Sequence, residues 1–172
     1  MRTVADPFRI EPLGRQHLRD GFQCGHNALD RYLRQQARQE ADKHVAAPFV
    51  LVQGDDPAVL GYYTLSASSI NTADVAPEMA SKLPRYPQLL VTLIGRLAVD
   101  IRLKGQGRGT FLLVDALRRS LTHAASVAAV AIVVDAKDEQ AAAFYRHFRF
   151  LSLQKDPRRL YLPMKTVAQL LE

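Results

Sequence analysis

Seven residues, KGQGRGT from Lys104 to Thr110, constrain this chain most strongly. Gly105, Gly107 and Gly109 alternate through a run between an apolar segment, LIGRLAVDIRL, and an amphipathic one, FLLVDALRRSL. That order reads as strand, glycine loop, helix. Such a loop can wrap backbone N–H groups around a phosphate at the positive end of a helix. Spacing removes two cofactor classes. A P-loop needs Gly, four residues, then Gly-Lys-Ser/Thr, and no such string occurs. The dinucleotide fingerprint needs G-x-G-x-x-G, whereas these glycines follow G-x-G-x-G. On pattern alone, a glycine-rich turn without ligand stays open beside the phosphate reading.

A length of 172 residues suits one domain, taken as 1–172, with a sizeable core. No apolar run approaches the ~18 residues of a membrane span. The opening stretch MRTVADPFRIEPL lacks the apolar core of a signal peptide. The single cysteine, Cys24, excludes an intramolecular disulfide and fits a reducing compartment. A cytoplasmic location without membrane contact is therefore expected. Cys24 reads as a small buried residue, because no assignable base accompanies it. His17, His26, His44, His123 and His147 show no metal-ligand spacing, so no metal is expected. The net charge of +6 favours a polyanionic or acidic partner.

Phe8 to Leu13 alternates apolar and polar residues and reads as a strand. Asn27 can cap a helix running to about Lys43. Its apolar stripe is Leu29, Tyr32, Leu33 and Ala37, while Arg31, Arg34 and Arg38 fall on another face. Phe49 to Gln53 and Leu60 to Ser66 read as strands joined by a GDDP turn. Asn71 to Gln88 reads as a short helix plus loop. Thr92 to Val99 is a strand and Phe111 to His123 a helix. Val127 to Asp135 has the composition of a strand buried on both faces. Gln140 to His147 reads as a helix and Arg159 to Pro163 as a last strand. The whole is one mixed α/β domain.

Several segments together resemble the GNAT acetyltransferases, and more narrowly the GNAT toxins of toxin–antitoxin modules. They are Phe22, Cys24, Gly25, Leu29, Asp30, Tyr32 and Leu33; Gly61 to Ser66; Arg96 to Asp100; the glycine loop; Val134 to Ala136; and Ala141, Phe144 and Tyr145. The resemblance spans about residue 8 to residue 167. It implies a mixed, mostly antiparallel central sheet flanked by helices, with acetyl-CoA as cofactor. Lys104, Gly105, Gln106, Gly107, Arg108, Gly109 and Thr110 would then hold the pyrophosphate. Leu97, Ala98 and Val99 would lie beside the pantetheine arm, by pairing of cofactor amides to a strand edge. Asp138, Ala141 and Phe144 match a later cofactor-contacting pattern, with Asp138 replacing the family's Asn. Arg149 stands where the family has Gly, so that turn is expected to differ locally.

By the same resemblance Tyr145 is the general acid toward the CoA sulfur. A phenol of pKa near ~10 can protonate a thiolate whose conjugate acid sits near ~8.5. No side chain stands out as general base. An α-amine of pKa about 7.7–8.0 is roughly one-tenth neutral at pH 7, whereas a lysine is neutral in only ~1 part in 2,500. A site without a strong base therefore suits α-amines. The resemblance implies aminoacyl-tRNA as acceptor, with Arg31, Arg34, Arg38 and Arg96 meeting the RNA. It also implies a ribbon-helix-helix antitoxin partner and is compatible with a homodimer. A GNAT enzyme acting on a small-molecule or protein amine, and a non-catalytic binding module, are the alternatives.

Overall fold

A computed structural model describes residues 7–172. The first six residues of the stretch without a signal-peptide core lie outside it. The chain forms two compact units, Met1–Leu65 with Arg96–Ala116, and Ser66–Gly95 with Leu117–Glu172. The hydrogen-bonded strand order is β1-β2-β3-β4-β5-β7-β6, with the strands as defined below.

The first unit opens with β1, Phe8–Pro12. It pairs antiparallel with β2, Ala47–Gln53, which pairs antiparallel with β3, Asp56–Asn71. Helix α1, Asn27–Gln35, and helix α2, Ala37–Asp42, lie between β1 and β2 in sequence. Phe22, Tyr32, Leu33, Val50, Val52, Tyr62 and Ala98 form the unit's buried core. Of the expected stripe, Tyr32, Leu33 and Ala37 are buried and Leu29 is partly buried against the same core. Two expectations fail here. The helix does not run unbroken to Lys43, and Asn27 is not its cap; His26 occupies that position without a side-chain cap bond. The break falls at Gln36 and has a visible cause. One Arg19 guanidinium nitrogen donates to the carbonyls of Leu33, at 2.9 Å, and Arg34, at 3.3 Å. In a continuous helix those carbonyls would serve the amides four residues on.

The second unit holds β5, Ala131–Asp135, and β7, Arg159–Pro163, antiparallel to each other, with the two-residue β6, Leu151–Ser152, on the far side of β7. Its helices are α3, Pro77–Ala80, α5, Glu139–His147, and α6, Met164–Leu170. Ile70, Leu89, Val91, Val133 and Tyr161 are among its core residues. Val127 to Val130 stay outside β5, so that strand is shorter than its apolar run suggests. Strand β4, Gln88–Val99, and helix α4, Arg108–Ala124, contribute residues to both units. The β4–β5 pairing is parallel, so the sheet is mixed and mostly antiparallel, as expected. It ends at Ile94↔Val134, whereas β4 runs on to Val99.

Candidate active site

The glycine run folds as a tight loop directly ahead of α4. Asp100 opens it by accepting from the Arg102 amide at 3.0 Å, which starts a 3-10 turn over Ile101–Leu103. The carbonyls of Ile101 and Leu103 then accept from the amides of Lys104 and Gln106. Gly105 and Gly107 are left-handed, with φ of 79° and 74°, a conformation that L side chains disfavour. Right- and left-handed residues in alternation turn successive N–H groups to one side and form an anion-binding concavity. Among the described residues, the Gly105 and Gly107 amides have no hydrogen-bond acceptor. A Cβ at either glycine would meet nothing within 4 Å, so the loop faces open space. The Gly107 carbonyl accepts from the Phe111 amide, and Gly109 and Thr110 occupy the first turn of α4. First-turn amides lack intrahelical acceptors, and they lie at the positive end of the helix dipole. Lys104 and Gln106 are exposed beside them, and Arg108 is half-buried with its guanidinium 3.8 Å from the Phe8 ring centre.

Asp100 is 1% exposed. Burial pushes its carboxyl up, but the Arg102 guanidinium and two backbone amides outweigh that and hold it below the usual carboxylate range. Arg102 binds it bidentately, at 2.9 and 3.0 Å. Upstream, Ala98 is buried, while Leu97 and Val99 are half-buried. Gly61 on β3 explains how close the layers come there. A Cβ on it would sit 3.0 Å from Leu112 Cδ1 of α4 and 3.2 Å from the Ala98 carbonyl. Neither the Asp100 network nor the need for Gly61 was anticipated; an Asp two residues before an Arg, at a strand end, was the available signal for the first.

Tyr145 lies in the last turn of α5, 5% exposed. Burial pushes its phenol well above the usual tyrosine value. Among the described residues its hydroxyl has no hydrogen-bond partner. The helix ends in a Schellman motif. The Phe150 amide donates to the Tyr145 carbonyl at 3.3 Å, and the Arg149 amide to the Arg146 carbonyl at 3.0 Å. Arg149 supplies the left-handed residue this motif needs, with φ of 71°. The turn therefore keeps the glycine conformation despite Arg, contrary to the local difference expected. The Phe150 and Phe144 rings contact Tyr145 edge-on, at 5.5 and 5.2 Å between centres, and fix its ring.

Asp138 is the N-cap of α5, its Oδ1 accepting from the Ala141 amide at 2.8 Å. This local duty accounts for an acidic residue at that position. Ala141 and Phe144 follow on the same helix, both half-buried.

The four arginines divide in two. Arg31 is exposed on α1, and Arg38 reaches Asp42 only at 4.0 Å. Arg34 is turned inward, donating to the Phe22 carbonyl at 3.0 Å. Arg96 lies 3.5 Å over the Tyr32 ring. Burial and a hydrogen bond to Glu40 push the Tyr32 phenol up to about 12, against the opposing charge of Arg96. The break at Gln36 also removes the single continuous face on which Arg31, Arg34 and Arg38 were expected. Among the described residues, no group of three His, Cys, Asp or Glu could hold a metal, and no helix is long and apolar enough to cross a membrane.

No protein-family model matches the chain. It is 36% identical over 150 residues to the tRNA-acetylating toxin of Mycobacterium tuberculosis, covering 87% of this chain and 88% of that protein. Among solved structures it resembles a tyrosine-to-phenylalanine mutant of KacT, with a TM-score of 0.90, 30% identity, and coverage of 95% and 99% of the two chains. It also resembles AtaT complexed with acetyl-methionyl-tRNAfMet, with a TM-score of 0.89, 27% identity, and coverage of 96% and 99%. A tyrosine-to-phenylalanine mutant of AtaT has further been solved bound to the C-terminus of the antitoxin AtaR and acetyl-CoA. By its identity to the mycobacterial protein across most of both chains, and by the fold shared with KacT and AtaT, the chain belongs to the GNAT-fold family of tRNA-acetylating toxins.

Proposed function

We propose that this protein is a toxin that transfers the acetyl group of acetyl-CoA to the α-amino group of an aminoacyl-tRNA, and so blocks translation. The observation that carries this reading is the glycine loop: two left-handed glycines with unengaged amides at the start of α4, in a chain of this family. The loop would hold the CoA pyrophosphate through Gly105, Gly107, Gly109 and Thr110, with Lys104 and Arg108 adding charge. The end of β4 lies beyond the β4–β5 ladder, which leaves a strand edge for the pantetheine amides along Leu97, Ala98 and Val99. A backbone N–H of that stretch stabilises the oxyanion. In this reading the chain acts as a single acetyltransferase domain, residues 1–172.

The neutral α-amine attacks the thioester carbonyl. The C–N bond forms, the C–S bond breaks, and the Tyr145 hydroxyl gives its proton to the departing sulfur. The proton lost by the amine goes to solvent, and Tyr145 is reprotonated. Burial keeps the phenol protonated, as a general acid must be. Because its folded pKa is raised, the stabilisation of the neutral phenol is fully present below about pH 10, the unfolded value, and is lost only as pH rises through the folded one. The rate on a free α-amine should therefore climb as the amine deprotonates near pH 8, with no fall from phenol ionisation up to about pH 10.

Arg31, Arg38 and Arg96 meet RNA phosphates. An antitoxin neutralises the enzyme, as the complexed relatives suggest, and the charge of +6 suits an acidic arm. Acting on charged tRNA places the protein in the cytoplasm. Incubation with labelled acetyl-CoA and charged total tRNA, followed by identification of the labelled amino acid, tests the reading. Label is expected on aminoacyl-tRNA, and Tyr145→Phe should lower kcat by about 10² or more. Full activity in that variant would remove Tyr145 from its role. Label appearing only on small or protein amines would replace the acceptor.

A further inference from the structure

We propose that the backbone of Phe22–Cys24 is a strap tying α1 to the glycine loop, and that Arg34, Asp30 and Asp100 are positioning residues for acetyl-CoA. This rests on reading the loop as the pyrophosphate cradle. Every residue of the strap is held by a hydrogen bond from outside it. Arg34 donates to the Phe22 carbonyl at 3.0 Å. The Gln23 amide donates to Asp100 Oδ2 at 3.2 Å, and the Gln23 carbonyl accepts from the Ile101 amide at 2.8 Å. The Cys24 amide donates to Asp30 Oδ1 at 2.9 Å. Two of these bonds come from side chains of α1. The other two come from the residues that open the 3-10 turn ahead of the glycines.

The carboxylates involved are costly to bury. Asp30 is 5% exposed and Asp100 1%. A buried carboxylate persists only when hydrogen bonds compensate its lost hydration. Asp30 directs one oxygen at the strap; Asp100 accepts from Arg102 on both oxygens, and its Oδ2 also accepts from the strap. From Asp100 the bonding continues through the Ile101 and Leu103 carbonyls to the Lys104 and Gln106 amides, the residues on either side of Gly105. A hydrogen-bonded path thus runs from Arg34 to the left-handed glycines. A shift of α1 moves the strap, and the strap holds the turn that sets the direction of the loop amides. Since α1 also carries the exposed Arg31, RNA bound on that helix and CoA bound in the loop are thermodynamically coupled, and the coupling is reciprocal.

The test is titration of CoA into the full-length chain by calorimetry. Arg34→Met has no atom in the loop, yet it should weaken CoA about fivefold or more while leaving the circular dichroism spectrum folded. Arg34→Lys, which can still donate once to the Phe22 carbonyl, should recover part of the loss. Asp100→Asn should weaken CoA as well, and combining it with Arg34→Met should cost less than the sum, because both cut one path. Should Arg34→Met fail to fold, Asp30→Asn probes the same strap from the Cys24 side, with the same expected loss. Wild-type CoA affinity in these helix variants, with only the KM for charged tRNA altered, overturns the strap. An unaltered chain that binds no CoA overturns the cradle reading, and the strap with it.

Discussion

Tyr145 was legible as a residue with a role only through the string AAAFY, because nothing in its own neighbourhood marks a phenol as an acid. Its surroundings were not legible at all. The edge-on rings of Phe144 and Phe150 and the Schellman bonds depend on the backbone at Arg149, a position where sequence favours the opposite conclusion. Arg149 adopts φ of 71° because two hydrogen bonds and the Phe150 contact determine the turn together. That conformation costs a non-glycine residue about 1–2 kcal/mol. Arg149→Gly removes this cost but adds about 0.5–1 kcal/mol of chain entropy. The net gain should raise the melting temperature by about 1–4 °C in a thermal scan. An unchanged or lower melting temperature would mean that the arginine side chain offsets its own strain. Asp138 is a simpler case: the family pattern suggested a cofactor contact, and its carboxylate is engaged as a cap.

At the scale of elements, the order of strands and helices was readable from apolar spacing, and the span of β7 matches the expected one. The misreadings have physical reasons. The helix after Gly25 breaks because a distant side chain, Arg19, takes two of its carbonyls, and no helical pattern in residues 27–43 records that. The strap was equally hidden, since Gln23 and Asp100 are 77 positions apart. The glycine loop is the opposite case, because its conformational demand is written in residue type. That demand is uneven. Gly107 has a positive φ, whereas Gly109 lies within α4 and does not. Space is no obstacle at Gly107, so Gly107→Ala acts through the backbone alone, at about 1–2 kcal/mol. CoA affinity should fall roughly tenfold in Gly107→Ala, and distinctly less in Gly109→Ala. Equal losses in a CoA titration would show that bulk near the phosphates, rather than amide direction, sets the affinity.

For the molecule as a whole, charge was the most legible property and the least specific one. A surplus of six positive charges says that an anion is wanted, without saying where. With Arg34 bonded to the Phe22 carbonyl, the RNA-facing set we propose is Arg31, Arg38 and Arg96. Each phosphate contact steepens the salt dependence, so a fourfold rise in salt costs roughly 3.5-fold per contact. Three contacts should raise the KM for charged tRNA by about 40-fold between 50 and 200 mM salt, with kcat little changed. A nearly flat salt response would deny these arginines their phosphates. The strap has one more consequence, and it is spectroscopic. Cys24, the chain's sole thiol, is the strap's last residue. A fluorine tag on that sulfur would be a single resonance placed between the glycine loop and α1, and on the proposed roles of the two it would sense either CoA or RNA without a residue being changed.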